Sequence, residues 1–161
     1  MNTVLFVCTG NSCRSPMAEA IFDELIDDHP RLKTQFRSES AGTLAFDGAD
    51  MTEMAQNALE SIGVHPARHR SRQITEDMAR EAYLILTMES QHLDELEAIC
   101  PAAAEKAHTL KGYVSNVEGY PGDSEYDIED PYRQPFDVYR EAAEEIRLYI
   151  AKLLDKLEKT V

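Results

Sequence analysis

The sequence predicts an α/β fold: a doubly wound, parallel sheet of about four strands, flanked by helices. Two apolar runs, residues 4–7 and 82–87, have the unbroken hydrophobicity of parallel strands that are buried on both faces. Segments with the three-to-four-residue apolar spacing of amphipathic helices follow in the chain. Parallel strands joined by helices build this architecture, and its ligands bind beyond the carboxyl ends of the strands. We therefore expect a site where the first strand ends, at Cys8.

Each remaining element is predicted from its apolar spacing and from the residues at its ends. Thr75 is a good N-cap type, and the acidic pair Glu76 and Asp77 suits the first turn of a helix. Gly63 is a helix-stop signal, and the acidic, glycine-rich stretch 115–129 is expected to be a mobile loop. We predict helices over residues 16–28, 52–62, 89–99 and 136–156, and a further helix that begins after Thr75. We predict strands over residues 35–40 and 107–110.

The segment after the first strand carries the strongest functional signal. Its residues are Cys8-Thr9-Gly10-Asn11-Ser12-Cys13-Arg14-Ser15-Pro16. We expect a tight phosphate-binding loop over residues 9–12, and Ser15 and Pro16 suit the N-cap and first turn of a helix. A strand–loop–helix unit directs backbone N–H groups and the positive end of the helix dipole into its loop. Such a loop suits a dianionic phosphate or arsenate, and it favours a thiolate.

Cys8 and Arg14 are the candidate catalytic pair. The reactive form of cysteine is the thiolate, which the loop amides, Arg14 and a hydrogen bond from Ser15 would all stabilise. Attack on phosphorus would give a covalent phosphocysteine that water then hydrolyses, and the planar guanidinium of Arg14 suits two equatorial oxygens. A cysteine at a strand end is most often a small buried apolar residue. The glycine in the loop and the adjacent helix start favour a nucleophile here.

Asp130 is the candidate general acid that such a mechanism needs for its leaving group. It precedes Pro131 and Tyr132 near the start of the last predicted helix. An Asp-Pro pair before a helix is usually an N-cap followed by a first-turn proline. Asp130 is able to fill both roles if its loop also faces the pocket. Pro131 would then stiffen that loop, and Tyr132 would form one wall of the cleft.

These motifs resemble those of the low-molecular-weight protein tyrosine phosphatases, and the resemblance covers nearly the whole chain. Further segments carry it, namely Met17-Ala18-Glu19, Ser40-Ala41-Gly42, His69 with Arg72-Gln73-Ile74, and Asp130-Pro131-Tyr132. The resemblance implies that Cys8 is the nucleophile, that Arg14 binds the phosphate, and that Asp130 acts first as acid and then as base. It also implies supporting roles: Thr9, Gly10, Asn11, Ser12, Cys13 and Ser15 in phosphate binding, Ser15 in stabilising the thiolate, and Asn11, Ser40 and His69 in holding the loop in shape.

The resemblance leaves two substrates near even, with phosphotyrosine first because that activity is the broader one in the family. Tyrosine-selective members typically carry a bulky aliphatic residue where this chain has Ser12, and a bacterial branch that acts on phosphoarginine typically carries Thr there. A small hydroxyl leaves room for a planar guanidinium. Tyr132 is typical of the tyrosine-acting members, whereas Arg133 stands where they often have a second aromatic residue. Ser12 and Tyr132 are thus the expected substrate-pocket residues.

The cysteines raise two further alternatives. The resemblance implies that Cys13 can form a reversible, protective disulfide with Cys8, and a buried free thiol is the equally weighted alternative. The loop also looks like that of arsenate reductases built on this fold, which need two further cysteines close together. Here Cys100 is the only later cysteine, and Pro16 stands where that family is expected to have Gln. We therefore rank arsenate reduction lower and expect Cys100 to be a core residue at a helix end.

Composition narrows the class of protein. We expect one domain over residues 1–161, and a formal net charge of −14 disfavours nucleic acid and anionic membrane surfaces. Three irregularly spaced cysteines favour a reducing compartment, and neither a signal peptide nor a membrane span is predicted, so we expect a cytoplasmic protein. The basic stretch with Arg68, Arg70 and Arg72 would guide an anionic substrate or, more often in an acidic protein, form ion pairs. We expect a phosphorylated protein as substrate, no metal or cofactor, and a monomer, with a weak dimer as the alternative.

Overall fold

The computed structural model describes residues 1–117 and 124–161. In this part of the chain, four parallel strands form one sheet. The strands are β1 (Asn2–Cys8), β2 (Phe36–Gly42), β3 (Leu84–Thr87) and β4 (Ala107–Thr109), in the spatial order β2-β1-β3-β4. The predicted α/β fold with a four-stranded parallel sheet is therefore confirmed. Cys8 pairs with Gly42, and Val7 pairs with Thr87, so the carboxyl ends of β1, β2 and β3 lie side by side.

Helices cover both faces of this sheet. They are α1 (Arg14–Leu25), α2 (Pro30–Lys33), α3 (Glu53–Ser61), α4 (Glu76–Glu81), α5 (Ser90–Ile99), α6 (Leu110–Val114) and α7 (Phe136–Thr160). Short 3₁₀ turns lie at Ile26–Asp28, Pro101–Lys106 and Ser124–Tyr126. No helix among residues 1–117 and 124–161 is both long and apolar enough to cross a bilayer.

The sheet separates two hydrophobic cores because successive strand residues point to opposite faces. Val4, Phe6 and Cys8 of β1 belong to the larger core, together with buried residues of α1, α3 and α7. Leu5 and Val7 belong to the smaller core, together with residues of α4 and α5. The predicted apolar stripe of α7 packs into the larger core. Burial on both faces explains the unbroken apolar run at the start of the chain.

Two predicted helix caps are wrong. Helix α1 begins at Arg14, and its N-cap is Cys13 rather than Ser15, because the Ser15 hydroxyl bonds to Cys8 instead. Asp130 caps no helix: α7 begins at Phe136 after Pro135, and Asp130 accepts a hydrogen bond from the Tyr132 N–H group. Both side chains use their hydrogen-bonding capacity at the site and not on a helix end.

Several predicted ends differ from the observed ones. Helix α1 ends at Leu25, where the chain tightens into a 3₁₀ turn, which is common at helix ends. Helix α7 continues to Thr160 because no glycine or proline stops it. The short helices α2 and α6 were not predicted. The loop expected over residues 115–129 contains the 3₁₀ turn Ser124–Tyr126, and residues 118–123 of that prediction lie outside the described residues.

Candidate active site

The predicted phosphate-binding loop connects β1 to α1 at the carboxyl edge of the sheet. Cys8 stands at its start with 3% of its surface exposed. Strand β2 packs against the loop so closely that a Cβ atom on Gly42 would lie 2.4 Å from the Thr9 carbonyl oxygen. The carbonyl groups of Cys8 and Thr9 accept hydrogen bonds from Thr43 N and Leu44 N, both at 3.0 Å. The loop is therefore anchored to the chain that follows β2, and Gly42 is required for that close approach.

Asn11 organises the loop from its buried centre. It has the left-handed φ angle of +52°, which asparagine tolerates better than most residues. Its Nδ2 group donates to Ser15 Oγ at 2.8 Å and to Ser40 Oγ at 3.0 Å. Its Oδ1 atom accepts from the Arg72 backbone N–H group at 2.9 Å. Both amide hydrogens and the amide oxygen thus have partners, which ties the loop to β2 and to the segment after residue 70.

The Asn11 hydrogen bonds determine where the Ser15 proton goes. Ser15 Oγ accepts from Asn11, so its own hydrogen is available to Cys8 Sγ, which lies 2.9 Å away. Ser40 likewise accepts from Asn11 and donates to Glu19 Oε1 at 2.6 Å. Burial raises the pKa of the Glu19 carboxyl. Two chains of donors therefore start at the Asn11 amide: one ends on the Cys8 sulfur and the other ends on the Glu19 carboxyl.

His69 and Ser71 hold the Asn11 carbonyl group. Ser71 Oγ donates to this oxygen at 2.6 Å, and His69 Nε2 lies 2.8 Å from it as the second donor. Burial and, to a lesser extent, the charge of Arg72 lower the pKa of His69, which favours the neutral imidazole. Because the Asn11 carbonyl oxygen can only accept, Nε2 is the ring nitrogen that carries the hydrogen. Of the two, only His69 was named from the sequence, and it lies where a loop-supporting residue is expected.

Arg14 lies buried beside the loop, with 2% of its surface exposed. Its Nη1 group donates to Glu89 Oε2 at 2.6 Å and to the Ile128 carbonyl oxygen at 2.8 Å. Its Nη2 group lies 3.6 Å from Asp130 Oδ2. The guanidinium therefore connects the first loop, the start of α5 and the segment that carries Asp130.

Asp130 lies at the mouth of the site, and 48% of its side chain is exposed. Its Oδ1 atom accepts the Tyr132 N–H group at 3.1 Å, which orients the carboxylate. The carboxylate of the neighbouring Asp127 accepts from the N–H and hydroxyl groups of Ser90. This link holds the segment from Asp127 to Asp130 against the start of α5.

Cys8 opens into a cleft of about 320 Å³. Tyr132 is 61% exposed and Phe46 is 87% exposed, and together they form an apolar rim. Ser12 lies in the wall, where its carbonyl group accepts from the Thr52 N–H group at 2.9 Å. The residues that line the cleft are Cys8, Thr9, Gly10, Ser12, Cys13, Arg14, Leu44, Phe46, Ala49, Thr52, Asp130, Tyr132 and Tyr139.

The structure therefore brings the predicted residues together around one cleft. Cys8, Arg14, Asp130, Ser12 and Tyr132 line it directly. Asn11, Ser15, Ser40 and His69 form the hydrogen-bonded support behind the loop. No role was predicted for Glu19, Ser71, Glu89 or His92, which contact this support, Arg14 or Thr9 of the loop.

Of the other predicted features, Cys13 shares the cleft with Cys8, whereas Cys100 lies in the core and two arginines of the basic stretch form ion pairs. Cys13 lines the cleft as a free cysteine, and burial, reinforced by Cys8, raises the pKa of its thiol. Cys100 is buried at the C-cap of α5 in the smaller core, as predicted. Arg70 pairs with Asp50, and Arg72 pairs with Glu39. Among residues 1–117 and 124–161, no cluster of His, Cys, Asp and Glu side chains is suited to bind a metal ion.

A cysteine at the start of a strand-to-helix loop, in one cleft with a buried arginine and a half-exposed carboxylate, is the arrangement of an enzyme that transfers phosphoryl groups through cysteine. The chain belongs to the low molecular weight phosphotyrosine protein phosphatase family, whose model matches residues 3–161.

Three relatives show how this family membership extends over the chain. A protein-arginine-phosphatase of Geobacillus stearothermophilus is 37% identical over 155 residues, which are 96% of this chain and 95% of that protein. The Escherichia coli low molecular weight protein-tyrosine-phosphatase Wzb is 35% identical over 138 residues, 86% of this chain and 83% of that protein. A structure of a YwlE arginine phosphatase mutant with a phosphorylated active-site serine has a TM-score of 0.85 and 31% identity, covering 98% of this chain and 96% of that one.

Proposed function

We propose that this protein is a cysteine-dependent protein phosphatase that works through a phosphocysteine intermediate. The observation that carries the proposal is the 2.9 Å contact between Cys8 Sγ and Ser15 Oγ. Asn11 already donates to that Ser15 oxygen, so the serine proton is directed to the sulfur, where it stabilises a thiolate.

In the first step, the Cys8 thiolate attacks phosphorus and the bond to the leaving group breaks. Arg14 Nη1 is committed to Glu89 and to the Ile128 carbonyl, which leaves Nη2 and Nε as a fork for two equatorial oxygens. The loop N–H groups bind the remaining charge, as an oxyanion hole does. Asp130 gives its proton to the departing atom, so a tyrosine leaves as the neutral phenol and an arginine leaves as its guanidinium.

In the second step, water attacks the phosphocysteine. Asp130, now a carboxylate, takes a proton from this water, and the sulfur–phosphorus bond breaks. Inorganic phosphate leaves, and the thiolate is restored. Asp130 suits both steps because it is half exposed at the mouth of the cleft, 3.6 Å from the arginine that binds the phosphoryl group.

Phosphoarginine in proteins is the substrate that we propose first. Ser12 offers a small hydroxyl side chain in the wall of the cleft, where a branched aliphatic residue would press on a planar guanidinium. The guanidino group keeps positive character, which suits a chain of net charge −14 with Asp130 at the mouth of the site. Two relatives named protein-arginine-phosphatases also match this chain over at least 96% of its length.

Phosphotyrosine is the second candidate, and Tyr132 supports it. This ring is 61% exposed at the rim, opposite an open cleft where a substrate ring can pack against it. The Escherichia coli relative, which is named a protein-tyrosine-phosphatase, matches 86% of the chain. Arsenate reduction finds less support, because Cys100 is buried in the core on the far side of the sheet from Cys8.

The test uses peptides of identical sequence that carry either phosphoarginine or phosphotyrosine. Wild type, Ser12→Ile and the matched control Ser12→Thr are compared by kcat/KM. We expect wild type and Ser12→Thr to prefer phosphoarginine and Ser12→Ile to shift at least tenfold toward phosphotyrosine. A wild-type preference for phosphotyrosine that Ser12→Ile leaves unchanged would select the second candidate.

We further propose that the enzyme needs neither metal nor cofactor, because a thiolate nucleophile and a carboxylic acid supply the chemistry. Dialysis against a chelator should leave kcat unchanged. The thiol mechanism requires a reducing compartment, and we propose that this compartment is the cytoplasm. We also propose that residues 1–161 form a single domain that works as a monomer. Sedimentation at micromolar concentration tests the monomer against a weak dimer. The acidic surface makes nucleic acid an unsuitable partner.

A further inference from the structure

His92 is a fully buried polar side chain next to the site. It lies in the first turn of α5, and none of its surface is exposed. This helix begins just beyond β3, whose carboxyl end lies beside that of β1. The mechanism described above assigns no role to His92. A buried imidazole is costly unless both of its nitrogen atoms have partners.

The hydrogen bonds of His92 fix which nitrogen carries the proton. The Glu89 backbone N–H group donates to Nδ1 at 3.1 Å, so Nδ1 is the unprotonated atom. The neutral imidazole therefore carries its hydrogen on Nε2, and Nε2 lies 2.9 Å from Thr9 Oγ1. Burial and, secondarily, the charge of Arg14 lower the pKa of His92 to about 3, so the ring is neutral at working pH. His92 thus donates to the phosphate loop.

Glu89 completes the connection. Its side chain accepts from the His92 backbone N–H group while the His92 ring accepts from the Glu89 N–H group, which is a reciprocal capping box. The same Glu89 carboxylate holds Arg14 Nη1 at 2.6 Å. The start of α5 therefore contacts the loop through His92 and the phosphate-binding arginine through Glu89.

We propose that His92 is a positioning residue of this enzyme: it joins Thr9 of the phosphate loop to the helix start that holds Arg14. The inference rests on the phosphatase function proposed above. The loop amides and the guanidinium must surround the same equatorial oxygens in the transition state, so their relative position affects the reaction step more than ground-state binding. Loss of the His92 to Thr9 bond should accordingly lower kcat and change KM little.

Two substitutions separate the two hydrogen bonds of the ring. His92→Asn keeps an acceptor for the Glu89 N–H group and is too short to reach Thr9. His92→Gln has a longer side chain whose amide can donate to Thr9. We expect His92→Asn to lower kcat for an aryl phosphate about fivefold to tenfold, the effect expected of one hydrogen bond, and His92→Gln to recover most of it. Calorimetric affinity for orthovanadate, a five-coordinate analogue, should fall by the same factor.

The double variant with Thr9→Val provides the control for a merely structural effect. Thr9→Val removes the acceptor at nearly constant shape, so adding His92→Asn to it should cost no further kcat. The proposal is overturned if His92→Asn lowers kcat by the same factor in wild type and in Thr9→Val, or if His92→Asn has the kcat of wild type. It is also overturned if the kcat loss is fully explained by a smaller folded fraction, which urea titration measures. A wild type that hydrolyses neither a phosphate ester nor phosphoarginine refutes the phosphatase function instead. The vanadate affinities then still test His92, because equal values for wild type and His92→Asn contradict positioning.

Discussion

Replacing Asn11 should destabilise the fold and slow the reaction by separable amounts. The side chain makes three hydrogen bonds, to Ser15, Ser40 and the Arg72 backbone N–H group. Its backbone also has a φ angle of +52°, which costs an ordinary L-residue about 1–2 kcal/mol more than glycine before chain entropy is considered. Asn11→Gly removes the hydrogen bonds alone, and Asn11→Ala removes them and adds the backbone strain.

The expected magnitudes follow from these contacts. Three hydrogen bonds at about 1 kcal/mol each give a loss of roughly 3 kcal/mol for Asn11→Gly. The actual loss should be somewhat larger, because the Arg72 N–H group is left without its acceptor. Asn11→Ala should be less stable than Asn11→Gly by about 1 kcal/mol. This difference is the backbone strain of alanine at a positive φ angle minus the extra chain entropy that glycine loses on folding. In both variants Ser15 is free to turn to the Ala41 carbonyl, 3.5 Å away, so kcat should fall about tenfold.

Urea unfolding followed by circular dichroism measures the free energy of unfolding, and an aryl phosphate assay measures kcat on the folded fraction. Equal stability of Asn11→Gly and Asn11→Ala would show that the left-handed conformation costs alanine no more than the extra unfolded-chain entropy that glycine loses on folding. A shared loss below about 1 kcal/mol would refute the hydrogen-bond argument. Wild-type kcat in both variants would remove Asn11 from the account of the Cys8 thiolate.

Three further results are expected. Asp130→Ala should lower kcat about 10²-fold for a phosphate ester with a poor leaving group and much less for an activated aryl phosphate; equal losses would make Asp130 structural. Because burial raises the pKa of Glu19, this group lowers stability as pH rises above the ordinary carboxyl range. Compared with wild type, Glu19→Gln should therefore be stabilised more at pH 8 than at pH 4. A stability difference between the two proteins that does not change with pH would contradict the burial argument. After peroxide, the Cys8 sulfenic acid should be captured by Cys13 as a disulfide with loss of water, whereas in Cys13→Ser further peroxide should oxidise Cys8 to a sulfinic acid that thiols do not reduce. Thiols should therefore restore wild type but not Cys13→Ser, and equal recovery contradicts the bridge.

The fold and the main components of the site could be predicted because their signals are local. An apolar run that ends at Cys8 marks a doubly buried strand, and the loop residues up to Pro16 follow without interruption. The carboxyl ends of parallel strands share one edge of the sheet, so the position of the site follows from the fold class. These parts needed no knowledge of which distant residues come together.

Residues that depend on strand order could not be predicted in the same way. Glu89 and His92 are far from Arg14 and Thr9 in the chain, and they meet them because β3 lies next to β1, with Val7 paired to Thr87. A usable signal did exist, since a Glu and a His three residues apart directly follow a buried strand. The capping errors at Ser15 and Asp130 have the same origin, because a short polar side chain takes its partner from the tertiary structure.

The most direct test of the account replaces the nucleophile. Cys8→Ser is incubated with a phosphorylated peptide, its turnover is measured, and its intact mass and fragment masses are compared with those of untreated protein. The account predicts that turnover is lost, that inorganic phosphate still binds, and that any covalent phosphoryl group is found at position 8. Turnover close to wild type, or a phosphoryl group on another residue, would contradict Cys8 as the attacking atom.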